Sequence, residues 1–234
     1  MSDKNKRQLR SARWFGGTPY DAEHTGHALQ AGLAREEFEG KPVIGIINTW
    51  SDLNPCHAHL RERAEAVKRG VWQAGGYPVE LPALALGEGF FKPSAMMYRN
   101  MLAMQTEEML RAQPVDGAIL LGGCDKTTPG LLLGAISADL PTIFCPAGFT
   151  NAARYRGESF GSGTGPFRWA PDLIAGRLPV TEWQKIEEKI WSSPGTCNVM
   201  GTASTMTALA EVLGFSLPGA SSVPATASKG HQLA

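Results

Sequence analysis

The sequence predicts an α/β fold: a parallel sheet with helices on both faces, arranged as three α/β/α layers. Three observations lead there. Short apolar runs recur through the middle of the 234-residue chain. Each run is followed by a loop marked by Gly, Pro or Asn, and then by a segment with helical spacing. The repeat, roughly 30 residues, suits a strand, a crossover helix and the next strand.

The first run is Val43-Ile44-Gly45-Ile46-Ile47, short and apolar throughout, as in a strand buried on both faces. After the loop 48–55, residues Leu60, Ala64, Val67, Val71 and Trp72 recur at helical spacing, and Gly75-Gly76 ends that helix. Residues 79–84 form the second predicted strand, followed by the turn Gly87-Glu88-Gly89. Residues 94–113 read as a long helix whose Met96, Met97, Met101, Met104 and Met109 fill the core. A third strand, 115–121, enters Gly122-Gly123-Cys124; a helix over 129–138 and a strand over 141–145 follow.

Residues 148–180, with Gly157, Gly161, Gly163 and Gly165, read as a long loop or excursion. Residues 181–192 are expected as an exposed helix capped by Thr181. The loop 194–201 holds Cys197, and a helix over 202–213 stops at Gly214. The tail 217–234 is small and polar, with no closing element expected. Residues 1–40 lack a period and read as a surface arm with a short helix near 28–35, which leaves 41–234 as the α/β domain.

The bulk properties exclude several classes of function. With 22 basic and 22 acidic residues the net charge is zero, so neither nucleic acid nor an anionic membrane is an expected partner. No apolar run reaches the length of a membrane span. The start of the chain is polar and basic without an apolar core, so no secretory signal is expected. The four cysteines, Cys56, Cys124, Cys145 and Cys197, are too scattered for a disulfide framework. The expectation is a cytoplasmic protein with reduced thiols.

Open parallel sheets bind ligands beyond the carboxyl ends of their strands. Cys56, Glu88 and Cys124 all fall in loops just after predicted strands, so one sheet edge can gather them. The sharpest segment is Cys124-Asp125-Lys126-Thr127-Thr128-Pro129-Gly130. It sets a soft thiolate beside a hard carboxylate and a lysine, on a Gly-rich turn entering a helix. Thiolates suit iron or zinc, whereas carboxylates suit magnesium or manganese. A helix N-terminus favours anions. Simpler readings exist for single residues: Asp125 as a helix cap, Lys126 as a surface lysine, Glu88 as part of a common turn, Cys145 as a small buried hydrophobe. Zinc fits poorly without a Cys-x-x-Cys pair.

This segment, with Gly134 four residues after Gly130, resembles a signature of the dihydroxy-acid and sugar-acid (aldonate) dehydratase family. Asn54-Pro55-Cys56-His57 resembles the family's first cysteine loop, and the stretch from Pro194 to Met206 its third. The cysteines stand 68 and 73 residues apart, as in that family. The resemblance runs from about Arg13 to the last residue, and it covers the N-terminal part of the family's longer proteins.

The resemblance implies a [2Fe–2S] cluster held by Cys56, Cys124 and Cys197, with one iron left open as a Lewis acid. It implies Mg2+ held by Glu88, Asp125 and a carbamylated Lys126. It implies a hydro-lyase that converts a 2,3-dihydroxy carboxylate to a 2-keto-3-deoxy acid, with pentonates and hexonates favoured over branched-chain substrates. It further implies homo-oligomers, dimers or tetramers, of the full-length protein. The family's base is a serine of a C-terminal domain, which is absent here, so this chain is expected to be the truncated N-terminal domain of a two-domain enzyme. His57 reads as a group on the substrate side or behind the ligands, and Thr127 as a substrate contact or a cap. Ser204 carries nothing that marks it as a base. An inactive fragment, or a cluster-binding or interaction module, is the alternative. An electron-transfer module would require a fourth ligand, and Cys145 is the remaining cysteine.

Overall fold

The computed structural model describes residues 9–163 and 165–234. The chain begins with three short helices, α1 (Ala12–Phe15), α2 (Ala22–Gln30) and α3 (Arg35–Phe38). It then alternates: β1 (Val43–Asn48), α4 (Leu60–Gln73), β2 (Tyr77–Pro82), α5 (Arg99–Ala112), β3 (Gly117–Gly122), α6 (Thr127–Ala138) and β4 (Thr142–Pro146). The strands form one sheet in the order β2-β1-β3-β4, and every neighbouring pair is parallel. The predicted α/β class, with helices on both faces, is the observed one.

Alternation along each strand decides which face is which. Val43, Ile47, Leu120 and Phe144 join Leu102, Leu110 and Leu131 of α5 and α6 in one core cluster. Ile46 and Leu121 turn the other way, onto Leu60, Ala64, Val67 and Val71 of α4. The α5–α6 contact is close because Gly134 lacks a side chain. A Cβ there would meet Ala103 O and would lie 2.6 Å from Thr106 Cβ.

Four expectations need correction. Four of the five methionines of 94–113 are not core filler: Met96 and Met97, in a 3-10 turn before α5, and Met101 and Met104 are exposed, whereas Met109 packs against the core as expected. The buried stripe of α5 is instead Leu102, Ala103, Thr106 and Leu110. Both stripes are apolar, so hydrophobicity could not tell them apart.

The second correction concerns residues 148–180, which are not one long loop. They contain the hairpin β5 (Ala153–Tyr155) and β6 (Glu158–Phe160) and the helix α7 (Pro166–Ile174). With α8 (Val180–Ile190) these build a small core of Tyr155, Phe160, Leu178 and Ile186, with Trp169 and Trp183 against it. Three-residue strands are too short to show a period, and Pro171 interrupts the helical signal. The N-cap of α8 is Pro179, so Thr181 lies within the first turn.

Thirdly, α9 (Thr202–Val212) is followed by a closing element after all, α10 (Ser228–Leu233), which packs on α4. The buried Arg63 guanidinium ties it down by donating to Gly230 O at 2.7 Å. Fourthly, the arm is partly built into the fold, and its longest helix, Ala22–Gln30, begins earlier than the expected 28–35 and overlaps only its start. Phe38 is buried against the rings of Phe15 and Tyr77. Asp116 accepts from the backbone of both Ser11 and Val43, which joins the arm to β1. Residues 1–8 of the expected arm lie outside the described residues. Among the described residues no helix is long and apolar enough to cross a membrane.

Candidate metal centre

The strands end where their polypeptide turns, and three of those turns carry the residues singled out above. The loop from β1 to α4 holds Cys56, the extended stretch after β2 holds Glu88, and the turn from β3 to α6 holds Cys124, Asp125 and Lys126. The segment between α8 and α9 brings in Cys197 from outside the sheet, through the bridge of Phe149 with Thr196. A cavity of ≈510 Å³ lies between them, lined by Cys56, Cys124, Cys197 and Glu88, with Phe90 and Trp191 at its rim.

Cys124 is the most constrained of these residues. Its φ is +65°, a left-handed conformation uncommon for a residue with a Cβ. The turn is held from both sides: Thr128 Oγ1 donates to Cys124 O at 3.0 Å, and Cys124 Sγ lies 3.4 Å from Asp125 Oδ1. Such strain persists where surrounding structure over-determines it, and it clusters at functional sites.

The three thiols feel one another. A hydrogen bond from Cys124 pulls the Cys56 thiol below its ordinary pKa, and burial only partly opposes it. The same contact, with burial and the Cys56 charge, pushes Cys124 up. Burial raises Cys197, and the charge on Cys124 adds to it. All the cysteines are free thiols.

The oxygen ligands implied for Mg2+ are also gathered. Lys126 Nζ lies 2.7 Å from Asp125 Oδ2 and 2.8 Å from Glu88 Oε2. Burial works against the ammonium, yet the two carboxylates together hold its pKa above that of a free lysine. Lys126 in turn lowers the pKa of Glu88. Lys126 is the N-cap residue of α6, and no side chain caps that helix, so Asp125 is not the cap it could have been.

Among the described residues, no three His, Cys, Asp or Glu side chains already stand around the position of a single ion. That suits the chemistry of the donor set. Three thiolates on a binuclear cluster are shared between two irons. The oxygen set contains two carboxylates and a lysine, which supplies an oxygen only after modification.

His57 and Thr127, each read as a substrate-side group or a supporting one, are fully buried, and both lie behind the cavity surface. Thr127 Oγ1 donates to Leu86 O at 3.2 Å, which secures the Glu88 loop against α6. Burial drives the His57 pKa down to about 4, so the imidazole is neutral. Ser204 donates to Cys197 O at 3.2 Å and thus shapes the third loop. His59 is the N-cap residue of α4 and lies 2.6 Å from Ala147 O.

Residues to which the sequence reading gave no role, Asn198 of the third cysteine stretch with Ser162 and Thr49, complete the surroundings. Asn198 Oδ1 accepts from Ser162 N at 2.8 Å, and Ser162 Oγ donates to it at 3.0 Å, tying the Cys197 loop to the 150–190 excursion. Thr49 Oγ1 donates to Leu121 O at 2.9 Å and bridges β1 and β3. Nothing in the local spacing of these small polar residues sets them apart from ordinary loop positions.

A parallel α/β sheet with thiols and carboxylates collected beyond its strand ends defines a class of domain that gathers ligands at that edge. Residues 41–234 match the dihydroxy-acid/6-phosphogluconate dehydratase N-terminal family, and the chain belongs to it. The chain is 55% identical to a 6-deoxy-6-sulfo-D-gluconate dehydratase of Pseudomonas putida, over 96% of this chain and 39% of that protein. It is 48% identical to an L-arabinonate dehydratase of Rhizobium leguminosarum bv. trifolii, over 95% of this chain and 39% of the relative. It is 33% identical to a dihydroxy-acid dehydratase of Pyrobaculum aerophilum, over 96% of this chain and 40% of the relative. The chain therefore spans about two fifths of the length of these relatives.

Proposed function

We propose that this chain supplies the metal-holding part of a hydro-lyase that dehydrates a sugar acid, or another 2,3-dihydroxy carboxylate, to a 2-keto-3-deoxy acid. The carrying observation is that three cysteine loops, distant in sequence, bring their thiols to one cavity beside the Glu88–Lys126–Asp125 cluster. In this reading residues 41–234 form the ligand-bearing α/β domain and act within a cytoplasmic homo-oligomer of longer chains. Sugar acids are favoured as substrates because relatives named for sugar acids share more of the sequence than the dihydroxy-acid dehydratase does.

Cys56, Cys124 and Cys197 would hold a [2Fe–2S] cluster, and Glu88, Asp125 and a carbamylated Lys126 would hold Mg2+. When bound, the two groups supply Lewis acidity, for departure of the 3-hydroxyl and for charge at the carboxylate and C2. The chain's own residues prepare the place. Lys126 has no lone pair as an ammonium. Carbamylation adds carbon dioxide to the neutral amine and releases a proton, which replaces the cation with an oxygen anion between two carboxylates. Thr127 and Thr128 hold the turn from below, and the N-terminus of α6 favours the substrate's carboxylate. Phe90 and Trp191 contribute apolar lining to the cavity. The C2 proton passes to a base, a serine in the family's pattern, contributed by the part of the relatives that this chain does not span.

Anaerobic reconstitution with ferrous iron and sulfide tests this reading, followed by iron and sulfide analysis and Mössbauer spectroscopy. Matched iron and sulfide, with the spectrum of one [2Fe–2S] cluster per chain perturbed by gluconate or arabinonate, is expected. A folded chain that takes up zinc and no iron–sulfur cluster would end it. Turnover by the 234-residue chain alone would show that the base lies within it.

A further inference from the structure

Beneath the thiols lies a second set of contacts that no motif announces. Two of them, His57 and Thr196, come from residues next to a ligand candidate in sequence, and they converge on Gly123. A Cβ on Gly123 would lie 2.6 Å from Thr196 Cγ2, 2.9 Å from Ala147 Cβ and 3.5 Å from His57 Nε2. His57 follows Cys56, Gly123 precedes Cys124, and Thr196 precedes Cys197. The Glu88 loop joins the same layer, because a Cβ on Gly87 would lie 2.7 Å from Asn54 Oδ1.

His57 is the residue that this layer is arranged around. Its Nδ1 lies 3.0 Å from each of Thr49 Oγ1, Thr49 O and Asn54 Nδ2. Its backbone N donates to Asn54 O at 2.8 Å. Thr49 is itself fastened to β3 through Leu121 O. The ring therefore stands fixed between β1, its following loop and the β3 turn. Nε2 is buried, lacks a well-formed hydrogen bond and faces the Gly123 backbone; among the described residues Asn54 Oδ1 and His59 Nδ1 nearby are likewise buried without a partner. Buried polar atoms are seldom left this way in a packed interior.

We propose that His57 is a positioning residue of the thiol centre: a keystone, anchored through Nδ1, whose Nε2 edge sets the Cys56 and Cys124 loops against Thr196 of the Cys197 loop. It touches neither substrate nor reacting atoms, and it acts through the cysteines. The inference rests on the proposed role of those cysteines as ligands, but its geometry belongs to the metal-free chain.

The test therefore begins without iron. Phenylarsine oxide condenses with two neighbouring thiols, forming two As–S bonds and releasing its oxygen as water. The metal-free wild-type chain is expected to bind it tightly through Cys56 and Cys124. His57→Leu, which keeps bulk and removes both nitrogens, should weaken binding about tenfold, the scale on which ligand-orienting groups act. His57→Gln, which can restore a polar atom near Nε2, should recover most of that loss. The same order should appear in the absorption and electron-paramagnetic-resonance signature of the reconstituted cluster, at equal thermal midpoints. Thr196→Ser, which removes only Cγ2 from the contact, should show a smaller loss and serves if His57→Leu does not fold. The proposal is overturned if wild type ignores the arsenical, if folded His57→Leu binds it as wild type does, or if His57→Gln is as weak as His57→Leu. A wild-type chain that binds the arsenical but assembles no cluster would sink the functional reading and leave the keystone standing.

Discussion

The rim beyond the strand ends and the wall of the sheet behind it both carry cysteine, and they treat it differently. Cys145 sits in β4, opposite Leu121, in regular extended backbone. It packs against the α4-side core, and burial raises its pKa although the Arg63 guanidinium nearby opposes that. Cys124 sits one residue past a pair of glycines, in a left-handed turn, with two further thiols and a carboxylate as neighbours. Greater exposure is not what marks the rim, for Cys124 is 5% exposed whereas Cys145 is half-buried. What separates them is the turn that aims the sulfur and the company it keeps. The proposed ligand character rests on converging loops, while the wall supplies the rigid frame on which they converge.

The largest effect should come from breaking the rim itself. Cys124→Ser removes a thiolate from a set that has no spare, and iron–sulfide reconstitution should then leave no cluster signature, whereas Cys145→Ser should reconstitute as wild type does. Equal cluster content in both variants would erase the distinction. The wall comes next. Gly134→Ala drives a methyl into the Ala103–Thr106 turn of α5 and should cost about 1–3 kcal/mol, read as a lower urea midpoint. The folded fraction should still bind phenylarsine oxide, because the strand-end turns are retained.

Lys126→Ala should have a smaller effect, confined to the oxygen side of the rim. It leaves Glu88 and Asp125 without the group that joins them, and Mg2+ binding followed by calorimetry should weaken about tenfold. Wild-type affinity should rise with added bicarbonate, and the variant's should not. The smallest effect belongs to Cys145→Ala, which exchanges one small buried side chain for another. It should change stability by less than about 1 kcal/mol by urea unfolding, with cluster content unaltered.

Much of the frame was legible in the residues. The apolar runs of β1 and β3 are continuous because both faces of a parallel strand are covered, and runs of four or five residues bounded by Gly, Pro or Asn are too short for a buried helix. The three cysteine loops and the Cys124-Asp125-Lys126 run were legible as chemistry, since those residue types in one turn have few other uses. The 150–190 excursion was not legible, because its two three-residue strands carry no period and its core is made of aromatic side chains from four separate elements. The methionines of α5 were misplaced for a related reason: composition reports that a side chain is apolar, and packing decides whether it is covered.

By itself the sequence determined the alternation of strand and helix, the parallel sheet and the order of the cysteine-bearing loops, because these follow from local periodicity and turn chemistry. Only the tertiary structure decided that Cys124 takes a left-handed backbone, that His57 and Thr127 face inward, and that Gly123 lies against both His57 and Thr196. Those facts depend on side chains 139 positions apart, His57 and Thr196, both lying against the Gly123 backbone. A pattern read along the chain has no term for that distance; close packing against a shared sheet edge supplies it.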